Sequence, residues 1–310
     1  MNIKIILVVS VITVLTVFAS YKSPDKDLPA NEAELGEMLF FDPILSSDKT
    51  VSCGSCHKPE HGFADNIPFS FGVDSTLTTR NTPTVKNVLA RTKYFWDGRA
   101  VTLEEQALKP IENPDEMNLP IAEAIRRLNS DPFYKKAFKK IFKKKANPLN
   151  LSHAIAAYEK TLESNNTAFD RYSKGDDSAM SEAALRGREI FVEKANCFEC
   201  HFGPDFTQDE MINIGIYDGK RYTDKGLGGI TGKPKDNGRF KVPGLRNVSN
   251  TAPYMHNGLF ATLLEVIDFY NDPDRIIPEA LNVDVRLIKP LNLTEQEKQD
   301  LEAFLMALSD

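Results

Sequence analysis

The chain is poor in cysteine and tryptophan, with four of the first and one of the second in 310 residues. It also lacks an excess of positive charge: 38 Lys and Arg against 44 Asp and Glu leave a net charge of -6. That balance gives no reason to expect a nucleic-acid partner, whereas a basic protein would be attracted. No apolar run reaches the roughly 20 residues that a membrane-spanning helix needs. The longest, Ile5 to Phe18, follows Lys4 and precedes the small residues Ala19 and Ser20. It is expected to be a secretory signal peptide over residues 1–20, an uncleaved anchor being the rival reading, and with no cysteine after it a lipoprotein is not expected. With 41% hydrophobic and 26% charged residues, the composition is that of a soluble globular protein. The length suffices for two domains, each with its own core.

Export turns attention to disulfides, yet no cysteine is left over to form one. All four lie in Cys53-Gly54-Ser55-Cys56-His57 and Cys197-Phe198-Glu199-Cys200-His201. C-x-x-C-H is the attachment signature of c-type haem: two thiols add to the vinyl groups and the histidine becomes the proximal iron ligand. A lone C-x-x-C could be a redox dithiol or half a zinc site. Two copies that use every cysteine, each with its histidine, point to two covalently bound haems. Cys53 and Cys197 are 144 positions apart, which predicts one haem in each half.

The pattern around the motifs predicts a mainly α-helical protein, two cytochrome c-like haem domains joined by long loops. Strand signals are few. Apolar residues from Pro120 to Phe142 recur at helical spacing, with a restart at Ser130-Asp131-Pro132 and lysines on a solvated face. A short helix is expected from Ser152 to Leu162, and another from Ser181 to Val192 that delivers Cys197. Near the end, Thr294 and Glu297 form a capping box ahead of a buried stripe at Leu301, Phe304, Leu305 and Leu308. Asn165 to Ser178 is the candidate linker, and Gly215 to Gly244 is expected to be mostly loop. The division predicted is 21–175 for the first haem domain and 176–310 for the second.

Four further segments carry a family likeness: Arg80-Asn81-Thr82-Pro83-Thr84, Phe95-Trp96-Asp97-Gly98-Arg99-Ala100, Val242-Pro243-Gly244-Leu245-Arg246-Asn247-Val248 and Pro253-Tyr254-Met255-His256-Asn257-Gly258. With the haem motifs, they make the chain from about Leu35 onward resemble the bacterial dihaem cytochrome c peroxidase and MauG superfamily. The resemblance implies a periplasmic enzyme that reduces hydrogen peroxide with electrons from a small cytochrome c or a copper protein. The haem of His57 would be peroxidatic and that of His201 would pass in electrons, with Trp96 between them. Peroxide chemistry also asks for an acid/base group on the open face of the reactive iron. Glu116, 20 residues beyond Trp96, matches the family's catalytic glutamate, and Gln106, 10 beyond, matches the glutamine beside it. The family holds a calcium ion with an asparagine side chain and backbone carbonyls; Asn81, Thr251 and Pro253 occupy those positions. Its members are often dimers, so a homodimer is possible.

Two positions depart from the family pattern. Many of the peroxidases cap the first iron with a histidine 16 residues after the proximal one, which here is Val73. Valine cannot bind iron, so an open sixth position in the fully ferric protein is expected, without reductive activation. His61 is tied to the proximal side, and His153 is expected to be ordinary packing. The second departure is Tyr270, at the place of the methionine that ligates the second haem in the peroxidases. MauG, which oxidises a partner protein, has tyrosine there. Tyrosinate is a hard donor that favours oxidised iron. The alternatives for that haem are Met255 and Met211, with His256 in the haem surroundings and not on the iron. Three functions follow, in order: peroxide reductase, MauG-like oxidant of a partner protein, and dihaem electron carrier.

Overall fold

The computed structural model describes residues 27–310, and these are mainly helical. The expected signal peptide, residues 1–20, lies outside the described residues. Among those residues no helix is long and apolar enough to cross a membrane.

The first half begins with α1 (Glu32–Phe41), capped by the Asn31 side chain, which accepts from the Glu34 amide. Next come the single turn α2 (Cys53–Cys56), then α3 (Leu103–Glu112), α4 (Ile121–Ser130), α5 (Pro132–Phe142) and α6 (Pro148–Glu159). The break between α4 and α5 falls at Asp131, whose carboxylate accepts from the Phe133 and Tyr134 amides. α6 starts earlier than its apolar pattern indicates, because Asn147 and Asn150 form a reciprocal cap ahead of it. α1 and α6 cross closely over a core that includes Leu35, Leu39, Phe40, Leu151 and Ile155. Gly36 permits that crossing: a side chain there would collide with the Ala154 carbonyl.

The stretch expected to be a linker instead holds α7 (Ala168–Ser173), started by a capping box between Thr167 and Asp170. Its polar composition conceals three residues that pack on the second half's core, Ala168, Phe169 and Tyr172. Phe169 meets Phe206 and Phe304 edge-on. The second half continues with α8 (Glu182–Val192), α9 (Leu227–Thr231), α10 (Leu263–Asn271), α11 (Pro273–Ile276) and α12 (Glu295–Met306). β1 (Met211–Ile212) and β2 (Phe240–Lys241) pair antiparallel, with Met211 opposite Lys241. Thr294 and Glu297 cap α12 reciprocally, and Leu301, Phe304, Leu305 and Leu308 are all buried. α8 crosses α12 as α1 crosses α6, with Gly187 against the Asp300 carbonyl. Residues 215–244 are mostly loop, apart from α9 and β2.

Backbone and charged contacts join the halves. Lys241 N donates to Trp96 O (2.7 Å) and Asn81 N to His256 O (2.8 Å). Arg80 forks onto Asp224 and also reaches Asp97, while Arg246, paired with Asp170 of α7 through two bonds of 2.9 Å, donates across to Ser164 O (3.2 Å). These contacts surround a cavity of about 450 Å³ walled by both halves.

Candidate dihaem centre

Both histidines of the C-x-x-C-H motifs are presented in the same way. In the first, α2 carries the cysteines, and His57 N closes the turn onto Cys53 O (2.9 Å). Phe63, in a left-handed conformation (φ 59°), turns its carbonyl to His57 Nδ1 at 3.0 Å. In the second, His201 N bonds Cys197 O (2.9 Å), and Phe206 (φ 55°) offers its carbonyl to His201 Nδ1 at 3.0 Å. A carbonyl can only accept, so Nδ1 holds the proton and Nε2 keeps a free lone pair. Burial lowers the pKa of both rings, to about 4 for His201, so each is neutral and able to bind a metal. Both rings and Cys56, Cys197 and Cys200 line the cavity. No cysteine is in a disulfide. Burial pushes the Cys56 thiol up to about 11 and Cys197 to about 12, against a thiolate redox pair. Among the described residues no three or more His, Cys, Asp or Glu cluster as a zinc site would require. Free thiols, neutral proximal rings locked by carbonyls and a shared cavity fit covalent haem at each motif.

The wall near His57 carries the predicted acid/base pair. Gln106, Pro110 and Asn113 follow one another along one face of α3 and its C-cap, and Glu116 sits on the turn beyond. Glu116 Oε1 accepts from Asn113 Nδ2 (2.7 Å), and its N donates to Asn113 O (3.1 Å). Burial raises the Glu116 pKa above the ordinary carboxyl value; the Asn113 bond and the Arg99 charge oppose this, and Asp115 adds to it. Arg99 lines the same cavity, stacked over Phe95 at 3.5 Å and held by both oxygens of Asp97. Val73 is adjacent: its N donates to Glu116 O (2.8 Å), but its side chain is buried in the apolar core and takes no part in the cavity wall. Asn113 and Arg99 were not singled out from the sequence. Asn113-Pro114-Asp115 did carry a turn signature, for Asp115 N bonds Asn113 Oδ1 (3.1 Å).

Trp96 sits at the junction of the halves. Its Nε1 donates to Asn81 O (2.8 Å), and its ring meets His256 edge-on at 6.5 Å. His256 in turn stacks on Phe240 at 3.7 Å. Asn81 Nδ2 donates to the Ile67 and Pro68 carbonyls, and Pro68 also packs near Gly258, itself beside Pro253. Asn81, Thr251 and Pro253, far apart in sequence, thus share the cavity wall.

Tyr270 projects from α10 into the second half of the cavity. Among the described residues its phenol has no hydrogen-bond partner. Burial pushes its pKa up, with Cys197 and Cys200 adding to the effect. Met255 also lines the cavity, whereas Met211 lies against Gly98 and does not. His61 is partly exposed at the end of a short turn, and His153 is exposed on α6 and not packed as expected.

A mainly helical fold closing one cavity over two haem-attachment motifs defines a dihaem c-type protein. The profile of the family "Di-haem cytochrome c peroxidase" matches residues 30–178. The chain is 37% identical to cytochrome-c peroxidase IdrP1 of Denitromonas iodatirespirans, over 92% of this chain and 83% of that protein. It is likewise 37% identical to the methylamine utilization protein MauG of Methylorubrum extorquens, over 91% of this chain and 79% of the relative. Among solved structures, a MauG-like protein associated with microbial copper homeostasis superimposes with a TM-score of 0.81 at 33% identity, covering 92% and 91% of the two chains. The dihaem peroxidase BthA of Burkholderia thailandensis gives 0.78 at 27%, covering 90% and 86%. This chain belongs to the dihaem cytochrome c peroxidase and MauG family, whose members carry two c-type haems.

Proposed function

We propose that the protein reduces hydrogen peroxide to water, taking two electrons from a small cytochrome c or copper protein and two protons from solvent. The carrying observation is the half-buried carboxyl of Glu116 lining the same cavity as His57 and Gln106, with Val73 turned into the core. Haem, when bound at His57, supplies the redox chemistry that splits the O-O bond. The chain supplies proton control: Glu116 takes the proton from the near oxygen and returns it to the far one, so that water leaves. Gln106 orients the peroxide. Trp96, bonded to Asn81 O and facing His256, lies on the path by which electrons cross the junction. Export to the periplasm, a calcium ion held by Asn81 and the carbonyls of Thr251 and Pro253, haem domains at 21–175 and 176–310, and a homodimer complete the proposal.

Tyr270 favours a second reading, the peroxide-dependent oxidation of a partner protein, because an unpartnered phenol facing the second haem site would favour oxidised iron. Rapid mixing of one equivalent of peroxide with the fully ferric protein separates the two. A spectral change that forms at once and is discharged by reduced cytochrome c supports the peroxidase. One that persists in the presence of cytochrome c favours the second reading. No change until the protein is half reduced overturns the open site inferred from Val73.

A further inference from the structure

Most cations that face the cavity have carboxylate partners within hydrogen-bond reach. Arg99 is held by Asp97 (2.9 Å), Arg246 by Asp170 (2.9 Å), Arg286 by Asp284 (2.8 Å) and Lys86 by Asp310 (3.1 Å). Arg91 and Lys241 differ. Their side chains are 9% and 15% exposed, and the nearest carboxylate oxygens, on Asp205 and Asp209, are each 3.7 Å away. That is beyond hydrogen-bond length. The other oxygen of each carboxylate is engaged: Asp209 Oδ2 accepts from Thr92 N (2.6 Å), and Asp205 Oδ1 accepts from Asn87 Nδ2 (3.3 Å) and lies 3.2 Å from Arg246, while Asp209 Oδ1, the oxygen facing Lys241, has no hydrogen-bond partner. Among the described residues neither the Arg91 guanidinium nor the Lys241 ammonium makes a hydrogen bond.

Lys93 lines the same wall and adds to the mutual repulsion. Burial brings the Lys241 pKa down to about 8, with Asp209 opposing and Arg91 and Lys93 reinforcing. Buried cations with unused donors are costly unless an anion completes them. Their position says which anion. Arg91 Nη2 packs where a side chain on Gly244 would lie, one residue after Pro243, whose carbonyl is beside His201. Asp205 precedes Phe206, whose carbonyl locks His201 Nδ1. Lys241 is two residues before Pro243.

We propose that Arg91 and Lys241, with Lys93 beside them, seat the propionate carboxylates of the haem at His201, so that the first half of the chain completes the second haem's site. This rests on haem attachment at the second motif. It also couples the halves, since Lys241 N holds Trp96 O while its side chain holds the haem edge.

The test is a redox titration of the holoprotein, with haem counted by the pyridine haemochrome assay. Removing a cation from beside the propionates makes the iron harder to reduce. Arg91→Gln and Lys241→Met should each lower the reduction equilibrium constant of the His201 haem by about tenfold, about 59 mV for one electron. Arg91→Lys should recover most of this, and Lys86→Met should change it by less than about threefold. In the wild type, the resonance Raman propionate bending band of that haem should move in D₂O, as exchangeable donors require. Two haems present, with neither constant changed by as much as about twofold, would overturn the proposal. So would a shift confined to the His57 haem, or a propionate band indifferent to D₂O. A wild type with fewer than two haems would instead refute the attachment on which the proposal rests.

Discussion

Glu159 offers a stability test that is independent of catalysis. Its side chain is 4% exposed on α6, and Oε2 has no hydrogen-bond partner. Burial, helped by the nearby Glu104 charge and opposed by Lys160, raises its pKa from the ordinary 4.5 to about 8. The folded protein therefore keeps a proton that the unfolded chain has already released over that interval. The sign follows: the folded state is favoured below about pH 4.5, and this contribution is lost as pH rises toward 8. At about 1.4 kcal/mol per pH unit the loss reaches roughly 4 kcal/mol, and water reaching the carboxyl reduces it toward about 2. Glu159→Gln keeps the shape and removes the titration. Urea unfolding followed by far-ultraviolet circular dichroism at pH 5 and pH 8 should show the variant gaining on the wild type by about 2 to 4 kcal/mol between the two. An unchanged difference at the two pH values would refute the reasoning and place Glu159 in contact with water.

Three further predictions concern the site and the helix crossings. Glu116→Gln should lower peroxide turnover by about 10²-fold and abolish an acid limb of kcat/KM that in the wild type lies above the ordinary carboxyl range, measured in steady-state assays across pH. Loss of less than about threefold would remove Glu116 from the proton transfer. Tyr270→Phe should change the ferric absorbance spectrum of one haem only, whereas an unchanged spectrum would make Tyr270 a packing residue. Gly187→Ala should cost about 1 to 3 kcal/mol in denaturant titrations despite alanine's better helix propensity, because α12's backbone at Asp300 must move aside. A neutral or stabilising result would mean that α8 and α12 cross with room to spare.

Much of the protein was legible without coordinates where the cause is local. C-x-x-C-H is a covalent signature five residues long, and the capping box of Thr294 and Glu297 closes within one turn. The α4–α5 break at Asp131 is equally local. What escaped depends on contacts between distant residues. Residues 165–178 are polar enough to look like a linker, yet Thr167 starts a helix whose Phe169 is held by Phe206 and Phe304. α1 has little apolar periodicity of its own, and its place comes from the close approach to α6 that Gly36 permits. His153 follows helical spacing into what reads as packing but points to solvent.

By itself, then, the sequence determined the two C-x-x-C-H motifs, the helical class and the identities at positions 73, 116 and 270, because short motifs and residue types need no partner to be read. Tertiary structure alone decided that Glu116 is half-buried against Asn113, that Val73 turns into the core, and that Arg91 crosses to the second half. The physical reason is that burial, and the unmet charge it creates, are properties of how distant segments pack.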